Sequence, residues 1–106
     1  MDEHMYIMEN YLMIPMPEEV DHYVAEKIRK QADLFLQNEK VEHVVFDFAK
    51  TVFMDSSGIG VIAGRYQKIA CFGGKVMALH VSGRIRRILY MSGLQKFVEI
   101  MEDVEG

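Results

Sequence analysis

The sequence predicts an α/β domain: a small mixed β-sheet, built from an N-terminal hairpin and parallel strands, with about three helices packed on it. After residue 40, nearly continuous apolar runs typical of buried strands alternate with segments whose apolar residues recur every three or four positions, as in helices. Helices between successive strands imply crossover connections and therefore parallel pairing. With 106 residues, of which 50% are hydrophobic and 26% charged, the chain suits a single domain, 1–106, with one modest core.

Two short strands and a helix are predicted before residue 40. Segments 5–9 and 11–16 have the length and composition of strands and flank a turn at residues 9–10, as in a hairpin. Asp21 is a candidate N-cap, because its side chain can accept a hydrogen bond from the first turn of a helix that we expect to run to about Asn38. The inward stripe of this helix would consist of Val24, Ile28, Ala32, Phe35 and Leu36.

Three strands and two helices are predicted after residue 40, with the strands at 43–49, 75–81 and 96–101. One helix is expected at 57–71, where the glycines of "FGG" can form a left-handed cap; its inward residues would be Ile59, Ile62, Tyr66 and Ile69. The other helix is capped by Ser82 and ended by Gly93, and its inward residues would be Ile85, Ile88 and Leu89. The acidic tail, 102–106, is expected to fray.

The charge, the apolar segments and the single cysteine argue against several classes of protein. The formal net charge of -4 argues against a general binder of nucleic acids or of anionic membranes, because such proteins are usually basic. No apolar segment approaches the ~20 residues of a membrane helix, and the N-terminus lacks the basic and apolar regions of a signal peptide. Cys71 is the single cysteine and cannot form an internal disulfide, and its apolar neighbours predict a buried, inert thiol. We therefore expect a cytoplasmic protein.

The segment "FMDSSGIGVIAG", residues 53–64, contains an acid, two serines and three glycines at the start of an otherwise apolar stretch. Three interpretations compete: a dinucleotide cradle, a serine nucleophile, or a serine that is itself the substrate. Gly58, Gly60 and Ala63 fit the dinucleotide pattern, but residues 50–57 separate them from the preceding strand, and no acid follows about 20 residues later. We therefore reject the interpretation of this segment as a dinucleotide-binding site. Gly60 and Gly64, one helical turn apart, would instead let the helix approach the sheet or a partner closely.

A hydrolase would use Ser56 or Ser57 as its nucleophile and His80 as its base. The surrounding sequence is not the G-x-S-x-G of a nucleophile elbow, and His80 is interpreted as the end of a strand. We therefore predict no enzyme, and a small serine esterase is the runner-up. No metal or cofactor is predicted either, since the other histidines, His4, His22 and His43, lack the paired spacing of metal ligands. A basic cluster, interpreted as a solvated or partner-facing surface, consists of Arg84, Arg86 and Arg87.

The third interpretation agrees with a resemblance to a known family. The segment "FMDSSGIGVIAGRYQKI" resembles the phosphorylation segment of the anti-sigma factor antagonists, a group of STAS domains, and in particular of those that act in sporulation. "GGKVMALHVSGRIRRILYMSGLQKFVEI" resembles their C-terminal strand, helix and strand, and "VDHYVAEKIRKQ" resembles the start of their first helix. The departures from the family pattern are Glu18, Thr51 and Gly83.

The resemblance implies a STAS-like fold and a partner-switching regulator that needs no cofactor. In such a system the unphosphorylated antagonist binds an anti-sigma factor that is also a serine kinase, and thereby frees the sigma factor. The kinase uses ATP to phosphorylate the first serine of D-S-S-G, here Ser56, and a serine phosphatase resets it. The expected partner-binding residues are Asp21, His22, Asp55, Ser57, Ile59 and Gly60. The alternative is a phosphorylation-independent STAS scaffold; direct contact with nucleic acid or membrane is not expected.

The physical chemistry of the segment agrees with a phosphorylated Ser56. A phosphate there would add about -1.5 to -2 charges beside the first N–H groups of a helix, where the helix dipole favours anions. We therefore expect the fold to tolerate the phosphate, and an interface pressed against the same helix to tolerate it poorly.

Overall fold

A computed structural model describes residues 4–38 and 40–101 of the chain. Its strands are β1 Tyr6–Met8, β2 Tyr11–Pro15, β3 Glu19–Val20, β4 His43–Asp47, β5 Phe53–Met54, β6 Val76–Leu79 and β7 Val98–Ile100. Its α-helices are α1 His22–Phe35, α2 Ser56–Ala70 and α3 Gly83–Met91, and a short 3-10 helix, Leu94–Lys96, precedes β7.

The main sheet has five strands in the order β1-β2-β4-β6-β7. β1 and β2 are antiparallel and form the predicted hairpin, which turns through Glu9 at a positive φ of 56°. From β2 onward each strand is parallel to its neighbour. The predicted mixed sheet with three helices is therefore confirmed.

The core lies between one face of the main sheet and the three helices. Successive side chains of a strand point to opposite faces, and the inward side chains of the parallel strands are buried: Leu12, Ile14, Val44, Phe46, Val76, Ala78 and Val98. The helices contribute Ala25, Ile28, Ala32, Val61, Ile62, Ile69, Ile85 and Leu89 to the same cluster. Each helix buries one stripe at three- to four-residue spacing, so all three helices cover the same face of the sheet.

β3 and β5 form a second, parallel sheet of two strands that the sequence analysis did not predict. Glu19 pairs with Phe53, and Val20 pairs with Met54. Two residues per strand are too few for a period-two pattern to be visible in the sequence. Val20 and Met54 are buried and belong to the main core, so the small sheet closes the core at the start of α1 and α2.

Several predicted element ends differ by a few residues. α1 ends at Phe35 and not near Asn38, because the following amides bond to carbonyls three residues back, as Asn38 N does to Phe35 O at 3.0 Å. α2 begins at Ser56, one residue earlier than predicted. The 3-10 helix shortens the last strand to Val98–Ile100. The tail predicted to fray, 102–106, lies outside the described residues.

Cys71 is exposed, and the prediction of a buried thiol is wrong. It directly follows α2 and its Sγ lies 3.3 Å from the carbonyl oxygen of Gln67. Its apolar neighbours do not share one face: Ile69 is buried, whereas Phe72 is exposed. Adjacent helical residues point about 100° apart, so an apolar sequence context does not bury every residue in it.

An ionic cluster links the middle of α1 to α2. Arg65 on α2 is only 4% exposed, and its Nε lies 3.2 Å from Oδ1 of Asp33 on α1. Lys68 Nζ lies 3.3 Å from the same oxygen, and Arg29 Nη1 lies 3.6 Å from Oδ2. Burial lowers the pKa of Arg65, and the Asp33 carboxylate opposes this effect. The cation is therefore retained in the helix interface by a single carboxylate among the described residues.

Candidate functional site

The two strands of the small sheet start α1 and α2 side by side. The backbone N of Asp55 donates to the carbonyl oxygen of Val20 at 3.0 Å, which continues the pairing beyond Met54. Asp21 and Asp55 follow the paired residues directly, and both are N-caps. Oδ1 of Asp21 accepts from Val24 N at 2.9 Å, and Oδ1 of Asp55 accepts from Ser57 N at 2.8 Å. The predicted Asp21 cap is confirmed, and two positive helix ends open onto the same surface.

The two serines differ in their surroundings. Ser56 is the first residue of α2; its side chain is exposed, and its hydroxyl makes no hydrogen bond within the described residues. Ser57 is half-buried, its backbone N is bound by the Asp55 carboxylate, and its Oγ lies 3.3 Å from Nδ1 of His22. Of the two hydroxyls, that of Ser56 is therefore the more accessible one.

The other predicted contact residues on α2 divide between core and surface. Gly60 is exposed, and a Cβ at this position would meet no heavy atom within 4 Å beyond its chain neighbours and the backbone of its own helix. Ile59 is half-buried and packs against the core. A change at Ile59 would therefore disturb packing as well as any contact with a partner.

Gly58, rather than Gly60 or Gly64, is the glycine that permits close packing. A Cβ on Gly58 would lie 2.3 Å from Cγ of Met54 and 3.2 Å from Cγ1 of Val20, whereas Gly64, like Gly60, faces open space. The expectation that Gly60 and Gly64 bring the helix close to the sheet is therefore wrong; a role in approaching a partner stays a prediction. Gly58 is turned toward the core, which also leaves it unavailable for the close phosphate approach that a dinucleotide cradle requires.

Exposed apolar side chains lie just before the Asp55 cap and in the first turn of α1, and the sequence analysis missed them. Phe53 is 45% and Val52 53% exposed, and both belong to the segment that leads into the Asp55 cap. Tyr23, in the first turn of α1, is 69% exposed. Because Met54 points inward, Phe53 and Asp55 share the outward face of β5. The sequence could have indicated this exposure through the alternation of inward and outward residues around Met54 in "VFMD". The alternating segment is short, and the apolar residues beside it hide the pattern.

Two departures from the family pattern have visible consequences. Thr51 is buried, and its hydroxyl donates to the carbonyl oxygen of Pro17 at 2.9 Å. Glu18 is exposed, and its carbonyl oxygen accepts from Val52 N at 2.8 Å. Both bonds tie the segment before β3 to the segment before β5, and so support the alignment of the two caps. Gly83 begins α3 after the Ser82 cap, as predicted, and has open space around it.

The serine and histidine that an esterase would need are not joined by a hydrogen bond in the described residues. His80 directly follows β6, at a positive φ of 56°, and its Nδ1 lies 2.8 Å from Oδ1 of Asp47, at the end of β4. No hydrogen bond joins His80 to Ser56 or Ser57 in the described part of the chain. Residues 4–38 and 40–101 contain no group of three His, Cys, Asp or Glu side chains placed to hold a metal ion. Among the same residues, no helix is both long and apolar enough to cross a membrane.

Comparison with known proteins identifies the family. The model of the STAS domain family matches residues 4–106. An anti-sigma F factor antagonist of Paenibacillus polymyxa is 38% identical over 92 residues, which are 87% of this chain and 79% of that protein. A solved structure of the anti-sigma factor antagonist SpoIIAA in its unphosphorylated form aligns with a TM-score of 0.78 at 24% identity, over 95% of this chain and 88% of that chain. The Bacillus cell fate determinant SpoIIAA in its phosphorylated form aligns with a TM-score of 0.75 at 25% identity, over 94% and 91%.

These matches cover nearly the whole chain and agree with the resemblance carried by the D-S-S-G segment. The solved SpoIIAA structures share the mixed sheet and the three helices described above. Anti-sigma factor antagonists are regulatory binding proteins, so the prediction that the chain is not an enzyme is confirmed. The chain belongs to the STAS domain family and, within it, to the anti-sigma factor antagonists of the SpoIIAA type.

Proposed function

We propose that this chain is a phosphorylation-controlled antagonist of an anti-sigma factor that is also a serine kinase. In its unphosphorylated form it binds the anti-sigma factor through the surface around Ser56 and so releases the sigma factor. The kinase transfers a phosphoryl group from its ATP to Ser56, the complex separates, and a serine phosphatase restores the binding form. These steps concern transcription, so the proposal places the protein in the cytoplasm.

The single observation that supports this proposal most strongly is the position of Ser56. Its hydroxyl is exposed at the first residue of α2 and has no hydrogen-bond partner among the described residues. A kinase can therefore reach it without unfolding the helix. The solved structure of a phosphorylated SpoIIAA, at 25% identity, supports the same chemistry in a related protein.

The surroundings of Ser56 explain how one phosphate could change binding and leave the fold intact. An anion at a helix N-terminus stabilises the helix by about 0.3–1 kcal/mol. In a close interface, an uncompensated like charge about 4 Å away costs about 4 kcal/mol at an effective dielectric constant of 20, or roughly three decades of affinity. The exposed Phe53, which precedes the Asp55 cap, and Tyr23, in the first turn of α1, offer the apolar, aromatic area that protein interfaces favour.

The proposal is tested by recovering the partner and locating the phosphate. The chain is used as bait in an extract of its native cell, and the recovered kinase is then incubated with the bait and ATP. We expect an anti-sigma factor with kinase activity in the pull-down, and a phosphate on Ser56 in the peptide mass spectrum. Ser56→Ala should be recovered with the same partner and should resist phosphorylation.

Two results would contradict this function. Recovery of an anti-sigma factor that leaves the chain unmodified would favour the phosphorylation-independent scaffold. Hydrolysis of acyl-ester substrates by the purified chain, lost in His80→Ala, would favour the esterase.

A further inference from the structure

His22 and Ser57 connect the first turns of α1 and α2. His22 is the first residue of α1, and its Nδ1 lies 3.3 Å from the Oγ of Ser57, the second residue of α2. The backbone N of Ser57 is held by Asp55 Oδ1 at 2.8 Å. Both the backbone and the hydroxyl of Ser57 are therefore engaged, whereas the hydroxyl of Ser56 has no partner within residues 4–38 and 40–101.

We propose that His22 is a positioning residue that keeps Ser57 from accepting the phosphate and so directs phosphorylation to Ser56. This inference rests on the function proposed above and adds the reason why one of two adjacent serines is chosen. In the D-S-S-G motif the two hydroxyls are equivalent in chemical type, and they differ only in what the fold places around them.

The transfer reaction explains why the contact matters. The accepting Oγ forms a bond to the γ-phosphorus of ATP, the bond from that phosphorus to the bridging β–γ oxygen breaks, and ADP leaves. The proton of the hydroxyl passes to a base on the kinase. Ser57 would have to leave His22 and turn outward from a half-buried position before this attack, whereas Ser56 is exposed from the start. A hydrogen bond of ordinary net strength makes such a rearrangement about fivefold unfavourable.

A competing role for His22 predicts the opposite sign. An imidazole beside a hydroxyl can act as a general base and make that oxygen a better nucleophile. In that case removal of His22 would lower the reactivity of Ser57. If His22 restrains Ser57, its removal raises the share of phosphate on Ser57.

The test compares the distribution of phosphate between the two serines. His22→Ala, His22→Asn and the control Lys30→Ala are each incubated with ATP and the kinase from the pull-down, and the two phosphopeptides are quantified by mass spectrometry. Lys30 is a suitable control because it is an exposed residue of the same helix, about two turns from His22 and outside the proposed contact surface. The ratio of the two products is measured within one sample, so a weaker affinity for the kinase does not affect it.

We expect the ratio of Ser57 to Ser56 phosphate to rise about fivefold in His22→Ala. It should return toward the original value in His22→Asn, whose amide can replace Nδ1, and stay unchanged in Lys30→Ala. In the Ser56→Ala background, His22→Ala should likewise increase phosphate on Ser57. A ratio that is unchanged or lower in His22→Ala, with Ser56 phosphorylated in the original chain, would overturn this inference alone. An original chain that takes no phosphate on either serine would overturn the proposed function and this inference together.

Discussion

Asp21 and Asp55 occupy equivalent positions on adjacent parallel strands, each one residue beyond the last pair, Val20 and Met54. Their backbones are nearly superimposable in conformation, with φ and ψ of -97° and -175° at Asp21 and of -96° and -173° at Asp55. Each carboxylate caps the helix that follows it. One backbone pairing therefore sets two helix N-termini side by side and places His22 next to Ser57.

Loss of the second cap should destabilise the fold. Asp55→Ala removes the acceptor for Ser57 N and should lower the free energy of unfolding by about 1 kcal/mol, whereas Asp55→Asn keeps an N-capping oxygen and should cost much less. Urea unfolding followed by circular dichroism measures both variants. Equal stability of Asp55→Ala and the original chain would mean that the observed cap contributes nothing to α2.

A charge at Ser56 should separate stability from binding. Ser56→Asp places an anion at the first residue of α2 and should leave the free energy of unfolding unchanged or raise it by up to about 1 kcal/mol. The same variant should bind the anti-sigma factor at least tenfold more weakly, as measured by titration calorimetry. Ser56→Asn, of similar size and uncharged, is the matched control. Weak binding by both variants would assign the effect to size and not to charge.

Two glycines of α2 should stabilise the fold when they are replaced by alanine. Gly60 and Gly64 face open space within the helix, so Gly60→Ala and Gly64→Ala should each stabilise the fold by about 1 kcal/mol. Gly60 lies nearer to Ser56, and we expect only Gly60→Ala to weaken partner binding while the fold gains stability. Unchanged binding by Gly60→Ala would remove Gly60 from the contact surface.

Gly58→Ala should have the opposite effect on stability. Its Cβ would meet the buried Met54 at 2.3 Å, and the side chain of Met54 must move within a packed core. Overpacking of this kind typically costs about 1–3 kcal/mol. A thermal unfolding temperature equal to that of the original chain would show that Met54 repacks without cost.

The ionic cluster between α1 and α2 should contribute to stability and not to partner binding. Asp33→Asn leaves the cation of Arg65 buried without a carboxylate and should lower the free energy of unfolding by about 2 kcal/mol. Glu26→Gln removes only the exposed pair with Arg29 and should change the free energy of unfolding much less, because water screens exposed ion pairs. Asp33 lies about 16 Å along α1 from His22, so binding of the anti-sigma factor should be retained. Equal effects of the two substitutions on stability would contradict the importance of burial.

Local sequence patterns predicted most of the secondary structure because those patterns act within one element. The apolar runs of β4 and β6 and the three- to four-residue stripes of α1 and α2 need only neighbouring residues to be recognised. Two features were not predicted correctly: the exposure of Cys71 and the pairing of β3 with β5. Each depends on where a short segment meets the rest of the fold, which residue type and spacing do not specify.

The sequence by itself determined the class of fold, the family and the D-S-S-G segment with its two serines, because these depend on residue type and local spacing. Only the tertiary structure decided which serine is exposed and which is held. Ser57 meets His22 across 35 positions of the chain, through a contact that exists only when β3 pairs with β5. Such long-range contacts arise from packing and register, whose free energy is shared over many residues, so no single local pattern encodes them.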